Sequence, residues 1–118
     1  MSFSVFPSEK FKKEAKRLVK KYPSLKSELA NLADQLSNNP ETGTALGSGL
    51  FKIRLAIKSK GKGKSGGARI ITYVVTDDSE VYLLTIYDKS EFDSVDDKIL
   101  AQIVATLNID DNRKTEGG

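Results

Sequence analysis

Cysteine and histidine are both absent from the 118 residues, tryptophan is absent too, and methionine occurs once. Without cysteine there are no disulfides and no thiolate nucleophile; without histidine the commonest zinc ligand and the commonest general base are missing. Any catalysis must rest on Lys, Arg, Tyr, Asp or Glu. Only three prolines punctuate the chain, and no apolar run approaches the ~18 residues of a membrane span. The opening MSFSVFPSEKF lacks the basic-then-apolar order of a signal peptide. The chain therefore reads as cytoplasmic, with no membrane partner.

What is present is 38% hydrophobic and 30% charged residues. That suits one compact domain with a modest core, residues 1–109, with no room for a second. The polar tail at 110–118 is expected to be disordered. The net charge is only +3, but it is unevenly spread. Residues 1–41 carry eight Lys/Arg against five acids, residues 42–76 seven against none, and residues 77–118 four against eleven. The middle block is a candidate polyanion site.

Periodicity divides the chain further. Phe3 and Val5 alternate with serines, a weak strand signal. After Pro7-Ser8, the residues Phe11, Ala15, Leu18, Val19 and Tyr22 recur at helical spacing and predict a very basic first helix. Leu25, Leu29, Leu32 and Leu36 line one face of a second helix, and the short link through Pro23 predicts a helical hairpin. Asn38-Asn39-Pro40 stops it, and Gly43, Gly47 and Gly49 mark an irregular loop. From Phe51 the period becomes two, with Phe51, Ile53, Leu55 and Ile57 on one side and Lys52, Arg54 and Lys58 on the other. The segment KSKGKGKSGGAR, with four glycines, reads as a mobile basic loop. Two strands, Ala68 to Val75 and Val81 to Tyr87, should form an antiparallel meander, and Val95 to Leu107 a third helix capped by Ser94 and Asp97. The predicted class is α+β: a small antiparallel sheet packed with an N-terminal helical hairpin and a C-terminal helix.

Several chemistries are disfavoured. Metal nucleases need paired carboxylates, and the basic stretch has none; Asp88, Glu91 and Asp93 cluster after the last strand, but Lys89 lies among them and helix entry already explains acids there. No metal site and no cofactor is expected. Gly61, Gly63, Gly66 and Gly67 lack the spacing and the strand-to-helix setting of nucleotide-binding loops. What remains is a cationic surface suited to phosphates. A lysine-rich loop can serve solubility alone, but seven cations without an interspersed acid, two of them on a regular strand, is not the mixed-sign pattern of a solvated face. Lys58, Lys60, Lys62 and Lys64 are the expected RNA-binding residues of the loop.

The string GLFKIRLAIKSKGKGKSGGARIITYVV followed by VYLLTIYDKSE resembles the RelE/ParE superfamily of type II toxins, most closely the HigB-like branch of RelE-type mRNA endonucleases. The resemblance runs from about Phe3 to Leu107. It implies a toxin that enters the A site of the small ribosomal subunit, needs no metal, and cuts mRNA by attack of the ribose 2′-OH on the adjacent phosphate. Its partners would be the ribosome, mRNA and a cognate antitoxin. Carried over by motif position, Lys52 and Arg54 match the cations of the family's second strand, Arg69 the arginine opening the third, and Lys89 the cation after the last. Fixed guanidinium groups suit a pentacoordinate phosphate, which assigns that role to Arg54 and Arg69. A lysine crowded by cations can act as base, making Lys52 the candidate. Tyr87 can stack on a base, or be an ordinary core aromatic; Tyr73 reads as core. A gyrase-inhibiting toxin of the ParE type and a non-catalytic RNA- or ribosome-binding module fit the same fold and the same basic surface, as does a domain whose basic face docks an acidic protein.

Overall fold

In the computed structural model, which describes residues 2–61, 63, 66–91 and 98–105, the elements run β1 (Ser4–Pro7), α1 (Glu9–Lys21), α2 (Leu25–Asn38), β2 (Thr44–Gly47), β3 (Leu50–Leu55), a 3-10 turn at Lys58–Lys60, β4 (Ala68–Val75) and β5 (Glu80–Asp88). A helix over 98–105, α3, follows. The α+β class holds. The Ser94–Asp97 cap and the tail at 110–118 lie outside the described residues.

Ser8 caps α1, its Oγ accepting from the Phe11 N–H at 3.1 Å and donating to the Leu84 carbonyl at 2.9 Å. One hydroxyl thus starts the helix and fastens it to the sheet. Phe11, Leu18, Leu25, Leu32 and Leu36 from the hairpin pack on Ile53, Ile70, Val81, Leu83 and Ile86. Removing one such fully buried leucine side chain to alanine costs about 2–5 kcal/mol.

The sheet order is β1-β5-β4-β3-β2, and it differs from the antiparallel meander in two ways. First, β1 pairs with β5 in parallel, Ser4 opposite Glu80 through Pro7 opposite Leu83. Val81, Leu83 and Ile86 leave β5 buried on the hairpin side and Leu84 on the other; such a central strand needs a neighbour on each edge. Second, the glycine-flanked stretch read as a loop contains β2, paired with β3 through the two-residue turn Ser48-Gly49. Both turn residues have positive φ, 54° and 81°, the backbone that matches a hairpin's twist. All four β2 residues are exposed, so the ladder forms without the apolar alternation that would have announced it.

A bulge organises the other face. The partners of Ile71 and Thr72 on β5 are Thr85 and Leu83, so Leu84 is the extra residue. Leu84, Ile71 and Tyr82 form a second cluster with Leu100 of α3, flanked by Ile103 and Val104. That cluster occupies one end of the face; the other end carries the polar side chains of β3, β4 and β5.

Candidate functional site

Alternation places the cations. Ile53, Ala68, Ile70 and Ile86 belong to the core beneath the hairpin, so their neighbours Arg54, Arg69 and Tyr87 point to the opposite face. Register then aligns them: Arg54 stands opposite Arg69, and Arg69 opposite Tyr87. One rung away, Lys52 stands opposite Ile71 and Ile71 opposite Thr85. Directly opposed side chains have Cβ atoms about 4.5–5.5 Å apart, and like charges so placed are destabilising by up to ~1 kcal/mol. The register thus sets two guanidinium groups side by side on this face.

Exposure separates the members. Arg54 is open to solvent, Lys52 and Lys89 are half-buried, and Arg69 and Tyr87 are each only 3% exposed. The Arg69 Nη1 donates to the Ala68 carbonyl at 3.2 Å, which helps hold a buried guanidinium. Lys89 lies just past the end of β5, where its N–H donates to the Gly67 carbonyl at 3.0 Å and closes the basic segment against the strand. Gly67 is there because nothing larger fits: a Cβ would stand 2.1 Å from the Leu55 carbonyl oxygen. Tyr73 packs with the second cluster, as a core residue.

The basic segment is not the freely mobile loop the sequence predicted, at least over its described start. Lys58 to Lys60 form a 3-10 turn. The Ser59 N–H donates to the Ser24 Oγ at 2.9 Å, the Ser24 N–H to the Ser59 Oγ at 2.8 Å, and the Lys58 N–H to Glu28 Oε2 at 2.8 Å. These bonds fasten it to the start of α2. Lys58 keeps an exposed side chain, Lys60 does not, and Lys62 and Lys64 lie outside the described residues.

Lys60 is the correction with the largest consequence. Its ammonium is paired with Asp88, a carboxylate with no solvent exposure. Asp88 Oδ1 also accepts from the Ser90 N–H at 2.9 Å and the Ser90 hydroxyl at 2.7 Å, and Oδ2 from the Tyr22 hydroxyl at 2.8 Å. Burial pushes the Asp88 carboxyl up, but Lys60, both Ser90 donors and Tyr22 outweigh it and hold the group well below the usual carboxylate range. Lys60 is thus a structural cation rather than a solvent-facing phosphate contact. Of the three acids that follow the last strand, Asp88 is engaged here and Glu91 in a 3.2 Å pair with Arg17, while Asp93 lies outside the described residues. Sequence reasoning missed Asp88 and Tyr22 as partners of the basic segment; sixty-six residues separate them, and no local pattern links them.

Comparisons with known proteins bear on the family and the fold. The family model described as the RelE toxin of the RelE / RelB toxin-antitoxin system matches residues 4–113. Among solved structures, the fold is similar to that of E. coli toxin RelE, a doubly substituted mutant in the free state: TM-score 0.60, 14% sequence identity, covering 91% of this chain and 99% of that one.

Proposed function

The chain belongs to the RelE toxin family of toxin–antitoxin systems, and from that premise we propose that it is a ribosome-dependent, metal-independent mRNA endonuclease, silenced by a cognate antitoxin. The carrying observation is the rung Arg54–Arg69–Tyr87 with Lys52 beside it, a cation-rich end of a sheet face built on rigid strands.

In this reading the ribose 2′-OH is the nucleophile. Lys52 takes its proton; the 2′-oxygen bonds to phosphorus; and the 5′-oxygen leaves, acquiring a proton from Lys89 or water. Charge builds on the non-bridging oxygens of the pentacoordinate phosphate, where the open Arg54 guanidinium meets it and the buried Arg69 behind it adds to the positive field. Tyr87, almost wholly buried, backs Arg69 from β5 as a packing residue of the rung. The products carry a 2′,3′-cyclic phosphate and a 5′-OH.

The test is a message bound in the ribosomal A site with 2′-deoxyribose at the scissile position. Cleavage should stop while ribosome binding persists; continued cutting, or a 5′-phosphate product, overturns the mechanism. Arg54→Ala removes an exposed side chain and should lower the single-turnover rate by about 10²-fold, since one preorganised transition-state contact is worth roughly 3 kcal/mol. Its melting temperature should not fall.

A further inference from the structure

Seven of the thirteen residues of α1 are Lys or Arg. Three are neutralised, Lys10 by Glu14, Lys12 by Glu9 and Arg17 by Glu91. Lys13, Lys16, Lys20 and Lys21 are exposed and make no ion pair among the described residues. The spacing of three and four from Lys13 to Lys16 to Lys20 puts them in one row, and Lys13–Lys16 and Lys16–Lys20 are like-charge pairs about one turn apart. Each such pair costs the helix about 0.2–0.5 kcal/mol. A face kept only for solubility interleaves acids with its lysines; this one accumulates repulsion instead.

The row continues into the basic segment. Lys21 Nζ lies 5.4 Å, and Lys60 Nζ 5.7 Å, from the centroid of the same Tyr22 ring. The last turn of α1 therefore meets the 3-10 turn that presents Lys58. Yet α1 packs in the hairpin core, on the side of the sheet away from Arg54 and Arg69, so a polyanion lying on α1 is not the strand at the rung.

The chemistry of the face selects the occupant. A membrane-binding helix needs a free apolar side, but Phe11, Ala15 and Leu18 are spent in the core. A protein partner takes its affinity from buried aromatic and aliphatic anchors, and the outward positions of α1 offer none. A phosphate backbone asks only for spaced cations whose binding releases counterions.

We propose that the outward face of α1 is a second RNA-docking surface, gripping the phosphate backbone of a folded RNA segment on the side of the sheet opposite the cleavage rung. The proposal rests on the ribosome-dependent reading for its partner, not on the nuclease chemistry. The probe is purified ribosomes, titrated with the full chain from low to moderate salt. For Lys13→Gln/Lys16→Gln/Lys20→Gln, the slope of log affinity against log salt should become shallower by about 2, and affinity near 0.1 M salt should fall roughly a hundredfold. The rate on ribosomes saturated with toxin should stay unchanged, and the Lys→Arg version of all three sites should restore binding. An unaltered slope and affinity overturns the proposal, as does loss of antitoxin binding with ribosome binding intact, or wild-type protein that shows no salt-dependent ribosome binding. The Arg54→Ala/Arg69→Ala variant separates the two readings. If wild type and this variant bind alike and neither cleaves, the nuclease reading fails while the α1 result stands.

Discussion

Lys60 and Lys58 sit two residues apart in the same lysine-glycine run, and the fold treats them oppositely. Replacing Lys60 by Ala strips the cation from a carboxylate without solvent access, and breaking a buried pair at one partner costs about 3 kcal/mol or more. Lys58→Ala, on an exposed side chain, should change stability by less than about 0.5 kcal/mol. Urea unfolding of the two variants checks the contrast; equal midpoints would contradict the buried pair. The same network sets an acid limit. The Asp88 carboxyl is depressed in the folded chain, so the unfolded chain binds the proton more readily. Its contribution is fully present above the ordinary carboxylate range, near pH 4, and is lost as pH falls towards and through the depressed folded value. Asp88→Asn should lower the urea midpoint at pH 7 and narrow the gap between pH 7 and pH 3. A variant whose acid sensitivity equals wild type would remove Asp88 from the account.

Among the elements, Gly67 is the joint between the basic segment and β4. Alanine there drives a Cβ into the Leu55 carbonyl, which must part β3 from β4 just where Arg54 meets Arg69. Gly67→Ala should cost on the order of 2 kcal/mol and reduce cleavage beyond what that loss explains. Thermal melts paired with single-turnover rates at a temperature where both proteins are folded provide the check. The elements also show what a sequence can and cannot disclose. The helical hairpin was legible because Leu18, Leu25, Leu32 and Leu36 each face one core and so recur at the helical period. β4 was legible to its ends, Ala68–Val75. β2 was not, because an exposed ladder buries nothing, and the parallel seat of β1 was not, because pairing direction leaves no periodic trace. At the site, strand parity alone put Lys52 and Arg54 on one face, and setting Arg69 opposite Arg54 needed the β3–β4 register. The adjacency of Arg69 and Tyr87 needed the β4–β5 register and its bulge, and the Lys60–Asp88 pair needed the tertiary fold.

At the scale of the whole molecule, charge is segregated rather than abundant. Residues 42–76 hold seven cations and no acid while residues 77–118 hold eleven acids and four cations, and the fold nevertheless brings Arg54 and Arg69 of the first block beside Tyr87 of the second. In the proposed reading such a face attracts nucleic acid at a distance while the chemistry rests on the few atoms at one rung, so activity should depend on that rung and not on net charge. Expression without the antitoxin should therefore arrest growth, with newly formed mRNA 5′ ends that map inside reading frames. The Arg54→Ala/Arg69→Ala variant should restore growth. Because Arg69 is buried, the comparison requires that the variant remain folded by circular dichroism and accumulate to wild-type level. A control in which two solvent-exposed cations, Lys26 and Lys98, are changed to Ala removes the same formal charge from outside the rung and should still arrest growth. Unimpaired growth with soluble, folded wild-type protein would count against the toxin acting on translation. Equal relief by both double variants would show that bulk charge, and not the rung, carries the effect.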